Sequence, residues 1–270
     1  MAIEHVPIEW RGRRISIEHA WIHRDHTHAP LIVFLHEGLG SLSMWRDFPR
    51  QLCDRACARG LVYSRPGYGQ STPRPKDERW DIDFMHRQAL EVLPALFDAL
   101  GVNKMHERPW LFGHSDGGSI ALLYAAASHP PAPTVAGIIV LAPHIVVEAL
   151  SIASITQARQ AYVDGDLHQR LAKHHADPDS AFGGWNDVWL SPAFRGWTIQ
   201  REIASITCPV LAIQGQDDEY GTLAQIDGIA ERVAHTQRLV LSTCGHSPHR
   251  DQPDAVLDAA STFIRRHHTP

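Results

Sequence analysis

Four cysteines, Cys53, Cys57, Cys208 and Cys244, are all that the 270 residues contain. Thiols so few and so scattered form no disulfide framework, which fits a reducing compartment. Cys53 and Cys57 stand one helical turn apart and read as small core residues. There is no basic run, and the formal charge is −5, so the electrostatic footprint of a nucleic-acid binder is missing. No apolar run approaches the length of a membrane span, and the opening MAIEHVPIEWRGRRIS lacks the apolar heart of a signal peptide. A cytoplasmic protein that engages neither membrane nor nucleic acid is the expectation. Neither a repeat, nor a His-Glu-x-x-His spacing, nor a convincing phosphate-binding glycine loop occurs. Of the nineteen histidines, the clusters His23, His26 and His28, His174 and His175, and His267 and His268 therefore read as solvated loop residues. No metal and no cofactor are expected. The partners left are a small-molecule substrate and, for a homodimer, a second copy of the chain.

What the chain does contain is short apolar runs alternating with longer helical patterns. Residues 3–9 and 15–22 read as a hairpin split by Arg11-Gly12-Arg13. Further strands are read at 31–36, 60–64, 110–112, 137–143, 209–215 and 238–242, several of them apolar throughout, as strands buried on both faces are. Helices are read at 44–58, at 83–100 with Pro94 kinking or dividing it, at 117–129 with Pro130 stopping it, and at 222–234. A last helix is read from Asp251, capped with the help of Asp254, with Val256, Leu257, Ala260, Phe263 and Ile264 as its apolar stripe. This is an α/β pattern: a mostly parallel eight-stranded sheet flanked by helices. Residues 144–205 break the rhythm, being helix-prone and rich in tryptophan. They are read as a helical cap inserted into a core made of 1–143 and 206–270.

Gly113-His114-Ser115-Asp116-Gly117 fits G-x-S-x-G. The bare pattern is common, but a strand before it and a helix after it make it a nucleophile turn rather than a glycine turn with an incidental serine. Such a turn strains its central residue, and the glycines make room for it. A serine hydroxyl needs a base, and the base needs an orienting acid. In this topology both follow later strands, in the order serine, acid, histidine. After 238–242 comes His246, the base candidate. His249 and His114 are worse placed, near the final helix and inside the turn. After 209–215 come Asp217, Asp218 and Glu219, of which one can serve. The N–H of Asp116 is one expected oxyanion donor, and the loop after 31–36 should supply the other.

Taken together, His36-Glu37-Gly38-Leu39-Gly40-Ser41, Arg65-Pro66-Gly67-Tyr68-Gly69-Gln70-Ser71, the serine turn, Gly215-Gln216-Asp217-Asp218 and Gly245-His246 resemble the α/β-hydrolase fold family over nearly the whole chain. The resemblance implies Asp218 as the acid, with Asp217 the runner-up. It implies Gly38 as the second oxyanion donor, with Leu39 the alternative. Glu37 departs from the family's pattern, which has glycine there. Its carboxylate is read as turned away and bonded to backbone or to a base such as Arg65, against the alternative that it contacts substrate. Asp116-Gly117-Gly118 also resembles the valacyclovir hydrolase-like esterases of this fold, whose acid beside the nucleophile helps bind a substrate amine. The competing reading is an acid favoured at a helix N-terminus.

The aromatics Phe182, Trp185, Trp189, Phe194 and Trp197 either line an apolar pocket over Ser115 or simply hold the cap to the core. Glu37, Leu39, His114, Trp185 and Trp189 are the candidate substrate contacts. The first functional expectation is a serine hydrolase of a small to medium carboxylic ester, thioester or lactone. The alternative is a carbon–carbon bond hydrolase of aromatic ring-cleavage products using the same residues. A non-catalytic ligand binder and a cofactor-free oxygenase or lyase rank below both. Dehalogenase and epoxide-hydrolase chemistry is disfavoured, because those relatives carry aspartate where Ser115 stands.

Overall fold

A computed structural model of the chain describes residues 2–102, 108–127 and 135–268. Eight strands form one sheet: β1 (Ile3–Trp10), β2 (Arg13–Ile22), β3 (Leu31–Leu35), β4 (Arg59–Tyr63), β5 (Trp110–His114), β6 (Gly137–Leu141), β7 (Val210–Gly215) and β8 (Thr236–Leu241). Their order is β1-β2-β4-β3-β5-β6-β7-β8. β1 and β2 are the antiparallel edge hairpin, and every pairing from β4 onward to β8 is parallel. The hairpin turns through Arg11 and Gly12, both at positive φ, which suits the twist of paired strands. β3 to β7 are buried throughout.

The helices are α1 (Phe48–Ala56), α2 (Phe84–Arg87), α3 (Leu93–Leu100), α4 (Asp116–Ala126), α5 (Ala149–Val163), α6 (Leu167–Leu171), α7 (Pro178–Trp189), α8 (Ala224–Arg232), α9 (Pro248–Asp251) and α10 (Pro253–His267). α1 and α10 close one face of the sheet, and α2, α3, α4 and α8 the other. α10 buries the stripe Val256, Leu257, Ala260, Phe263 and Ile264. Among the described residues no helix is long and apolar enough to cross a membrane.

Several boundaries differ from the sequence reading. α1 starts at Phe48 rather than residue 44, because Arg46 takes φ 52° and separates a short 3₁₀ turn from the helix. The helix read at 83–100 is interrupted ahead of Pro94, which stands in the first turn of α3. A π-turn at Gln88–Val92 leads into α3, and such a wider turn accommodates a ring that cannot donate. Asp251 does not cap the last helix. It ends α9, and its carboxylate accepts the Gly245 N–H at 2.9 Å. The expected stop of α4 at residues 128–130 lies outside the described residues. Cys53 is buried, but Cys57 is exposed where α1 ends in a left-handed residue. His175 is no solvated loop residue: it is buried, accepting the Gly69 N–H at 2.9 Å and lying 3.0 Å from the Leu39 carbonyl.

Between β6 and β7 the chain runs through α5, α6, α7 and two 3₁₀ turns, and a bridge between Val146 and Thr198 ties the two ends of this insertion together. The carboxyl ends of the central strands and the insertion face one another across a cavity.

Candidate active site

β5 delivers the chain into a turn in which Ser115 takes φ 52°, ψ −120° before α4 begins at Asp116. A side chain at Gly113 would put its Cβ 2.2 Å from the Gly117 carbonyl oxygen, and one at Gly117 would come 2.1 Å from that of Leu35. Those contacts are with backbone, so glycine is obligatory at both positions, and the strain is confined to Ser115.

Loops after three strands converge on the serine. Ser115 Oγ lies 2.9 Å from His246 Nε2, and His246 Nδ1 lies 2.8 Å from Asp218 Oδ1. Asp218 also accepts the N–H groups of Tyr220 (2.9 Å) and Gly221 (3.2 Å) and the Gln214 amide (3.1 Å). Burial alone would raise the Asp218 carboxyl. The hydrogen bond and charge of His246, with the Tyr220 N–H, outweigh it and hold it below the usual carboxylate range. Asp217 and Glu219 are exposed, and Glu219 only accepts the His246 N–H, at 3.0 Å.

Neither of the other two histidines weighed as bases bonds Ser115 Oγ, although His114 lines the cavity and packs against His246. His114 Nε2 donates to the His246 carbonyl at 2.7 Å, so it braces the loop that carries His246. His249 is buried between Trp45, Phe48 and His114, its imidazole pushed well down by burial and then by His114. A further histidine was missed. His144, three residues beyond β6 at the same sheet edge, packs against Trp189 and His246 and is lowered to about 3 by burial, reinforced by His246. Its position after a strand's carboxyl end was the available signal.

Glu37 is paired with a base as read, but the base is Arg250, with His114 beside it, rather than Arg65. Its carboxylate lies 3.5 Å from His114 Nδ1 and 3.5 Å from Arg250 Nη2, and it borders the cavity rather than turning away. Burial would raise it, but His114 and Arg250 together hold it well below the ordinary value. Arg65 bonds not this carboxylate but the Glu37 backbone carbonyl, at 2.8 Å.

The Asp116 side chain is fully buried. Its Oδ1 accepts the Trp189 indole N–H at 3.2 Å, and its Oδ2 faces Arg65 Nη1 at 3.9 Å. Burial pushes it up to about 6, against the pull of Arg65 and Trp189. The carboxylate that could have met a substrate amine is therefore turned to a buried guanidinium.

The cavity above Ser115 measures about 110 Å³, and Gly38, Leu39, Ile155, Trp185, Trp189 and Tyr220 are among the residues of its wall. Of the five aromatics weighed, Trp185 and Trp189 reach it. Phe182 stacks on Tyr162, and Phe194 on Trp197, away from the site. Gly38 carries the Trp185 indole directly against it: a Cβ there would meet Nε1 at 2.2 Å. Among the described residues no cluster of histidine, cysteine and carboxylate side chains is arranged to hold a metal ion.

A family model described as the alpha/beta hydrolase family matches residues 32–259. A 2-succinyl-6-hydroxy-2,4-cyclohexadiene-1-carboxylate synthase of Salmonella typhimurium is 24% identical over 264 residues, 87% of this chain and 94% of that one. In structure the chain is similar to a thermophilic esterase of Thermogutta terrifontis (TM-score 0.75, 18% identity, both chains covered completely). It is also similar to a meta-cleavage product hydrolase of Pseudomonas fluorescens (TM-score 0.73, 16% identity, 97% and 98% covered).

Proposed function

The chain belongs to the alpha/beta hydrolase family, and on that premise we propose that it is a serine hydrolase of small to medium carboxylic esters, thioesters or lactones that carry no anionic group. The carrying observation is the run of 2.9 and 2.8 Å contacts from Ser115 through His246 to Asp218 at a strained turn beneath a cavity. In this reading Ser115 attacks the acyl carbon while His246 takes its proton. Asp218 holds the imidazole with Nδ1 protonated and stabilises the imidazolium that forms. The N–H groups of Gly38 and Asp116 receive the carbonyl oxygen as it becomes an oxyanion. His246 returns the proton to the leaving group, and water, activated by the same histidine, releases the acyl group.

Charge narrows the substrate. The cavity wall carries no lysine or arginine among the described residues. Arg65 is sealed behind it, facing Asp116, and Arg250 faces Glu37. The Salmonella relative is named for a product bearing succinyl and carboxylate groups; a compound with several carboxylates finds no matching cation here. A cationic ester gains nothing from Asp116 either, since that carboxylate is enclosed.

A panel of 4-nitrophenyl esters, thioesters, amino-acid esters and a ring-cleavage dienoate, assayed with wild type and Ser115→Ala, tests this. Turnover of neutral esters that vanishes in Ser115→Ala is the expected result. Undiminished turnover in the alanine variant would refute the nucleophile, and serine-dependent cleavage of the dienoate alone would move the assignment to carbon–carbon bond hydrolysis.

A further inference from the structure

Arg65, two residues beyond β4, has no exposed surface. Its Nη2 donates to the Glu37 carbonyl at 2.8 Å, and the Nδ1–H of His36 donates to the same oxygen at 2.7 Å. The His36 Nε2 accepts the Arg65 backbone N–H at 3.0 Å, which fixes the ring with its proton on Nδ1. A trans peptide is planar and points its C=O and the following N–H in opposite directions. Two donors locking the Glu37 oxygen therefore also lock the Gly38 N–H, facing away from Arg65.

The same guanidinium faces the second donor residue. Its Nη1 is 3.9 Å from Asp116 Oδ2, while the Trp189 indole N–H holds Oδ1 at 3.2 Å. One Asp116 oxygen is thus hydrogen-bonded by the insertion and the other faces the guanidinium at ion-pair distance, without a hydrogen bond, while the Asp116 N–H opens α4. The guanidinium lies 4.6 Å over the Tyr68 ring, which leaves it little room to swing. α7 touches both donors at once: Trp189 binds the Asp116 carboxylate, and Trp185, four residues earlier on the same helix face, rests on Gly38.

We infer that Arg65 is a positioning residue that sets both oxyanion donors together, through the Glu37 carbonyl and the Asp116 carboxylate, and that Trp189 couples the insertion to that arrangement. The inference rests on the serine-hydrolase reading. It assigns the buried ion pair to catalysis rather than to folding alone, and gives the Arg65-Pro66-Gly67 segment a role in the hole it never touches.

Arg65→Lys keeps the charge, but one ammonium cannot serve both groups as a planar fork does. Trp189→Phe keeps a ring and deletes only the N–H. With folding followed by circular dichroism and active sites counted with a fluorophosphonate, kcat on a neutral 4-nitrophenyl ester should fall about 30-fold or more in Arg65→Lys and about 3- to 10-fold in Trp189→Phe. KM should stay within about threefold, since a mis-set hole weakens the transition state and not the bound ester. A folded Arg65→Lys with kcat within threefold of wild type overturns the inference. If Arg65→Lys does not fold, an unchanged kcat in Trp189→Phe does so. Wild type inert to every ester and to the fluorophosphonate would count against the hydrolase reading instead. In that event the amide resonances of Gly38 and Asp116 decide: both shifted in Arg65→Lys supports the positioning role, and both unmoved overturns it.

Discussion

Ser115 shows how much conformational cost one residue concentrates. At φ 52° it occupies a region that side chains avoid, a strain of about 1–3 kcal/mol. Alanine and glycine in its place both remove the hydroxyl, but only glycine relieves the backbone. Ser115→Gly is therefore expected to be more stable than Ser115→Ala by about 1 kcal/mol, after the extra freedom that glycine has in the unfolded chain is subtracted. Both should be inactive. Chemical denaturation of the two variants measures the difference, and a less stable glycine variant would show that the turn is unstrained. The identity of this residue was legible from its flanking glycines, strand and helix. The direction of the next side chain was not. Whether Asp116 faces substrate or protein depends on Arg65 and Trp189, 51 and 73 positions away, and no local pattern encodes that.

At the scale of elements, α7 and the loop after β3 interlock. Gly38 is not in the left-handed region, so its glycine serves space rather than conformation, and the occupant of that space is Trp185. Gly38→Ala should lower kcat/KM at least about tenfold when Trp185 is present and far less in a Trp185→Ala background. Such non-additivity is the mark of a direct contact, and additive effects would separate the two residues. A second expectation concerns α9. Asp251 holds the Gly245 N–H, and with it the loop bearing His246, instead of capping α10. Asp251→Ala is expected to reduce kcat by about an order of magnitude, because small misplacements of a catalytic group are costly, while the far-ultraviolet circular dichroism keeps its helical amplitude. A loss of helix with kcat intact would restore the capping reading. Helix existence and the apolar stripe of α10 could be read from periodicity. Its start could not, because an aspartate before a helix offers the same local signature whether its carboxylate turns to the helix or to a distant loop.

The whole molecule buries several histidines as neutral rings. His36, His144 and His249 are pushed far below the ordinary imidazole value, in each case chiefly by burial. In the unfolded chain all three take up a proton near pH 6.5, and in the folded chain they do not. Stability is thus complete above pH 6.5 and declines as the pH falls, by about 1.4 kcal/mol per pH unit for each ring. Asp116, raised to about 6, binds its proton in the folded state first and offsets one of the three between pH 6 and 4. The net loss of about 3 kcal/mol per unit exhausts an ordinary stability of 5–15 kcal/mol within a few units. Acid unfolding followed by tryptophan fluorescence is expected to have its midpoint above about pH 4. A midpoint below pH 3 would mean that these rings protonate in place.

Legible without the structure were the succession of strands, the α/β class, the break between β6 and β7, and the serine, aspartates and histidine that follow strand ends. Burial on two faces and the need for glycine at a strained turn are local constraints, and they leave local marks. Tertiary contacts alone set Glu37 beside the cavity between His114 and Arg250, His144 against His246, and Arg65 between the Glu37 carbonyl and the Asp116 carboxylate. Those are contacts between residues far apart in the chain. They exist because a parallel sheet brings the carboxyl ends of its strands to one edge, where side chains with no relation in sequence must satisfy one another's charge.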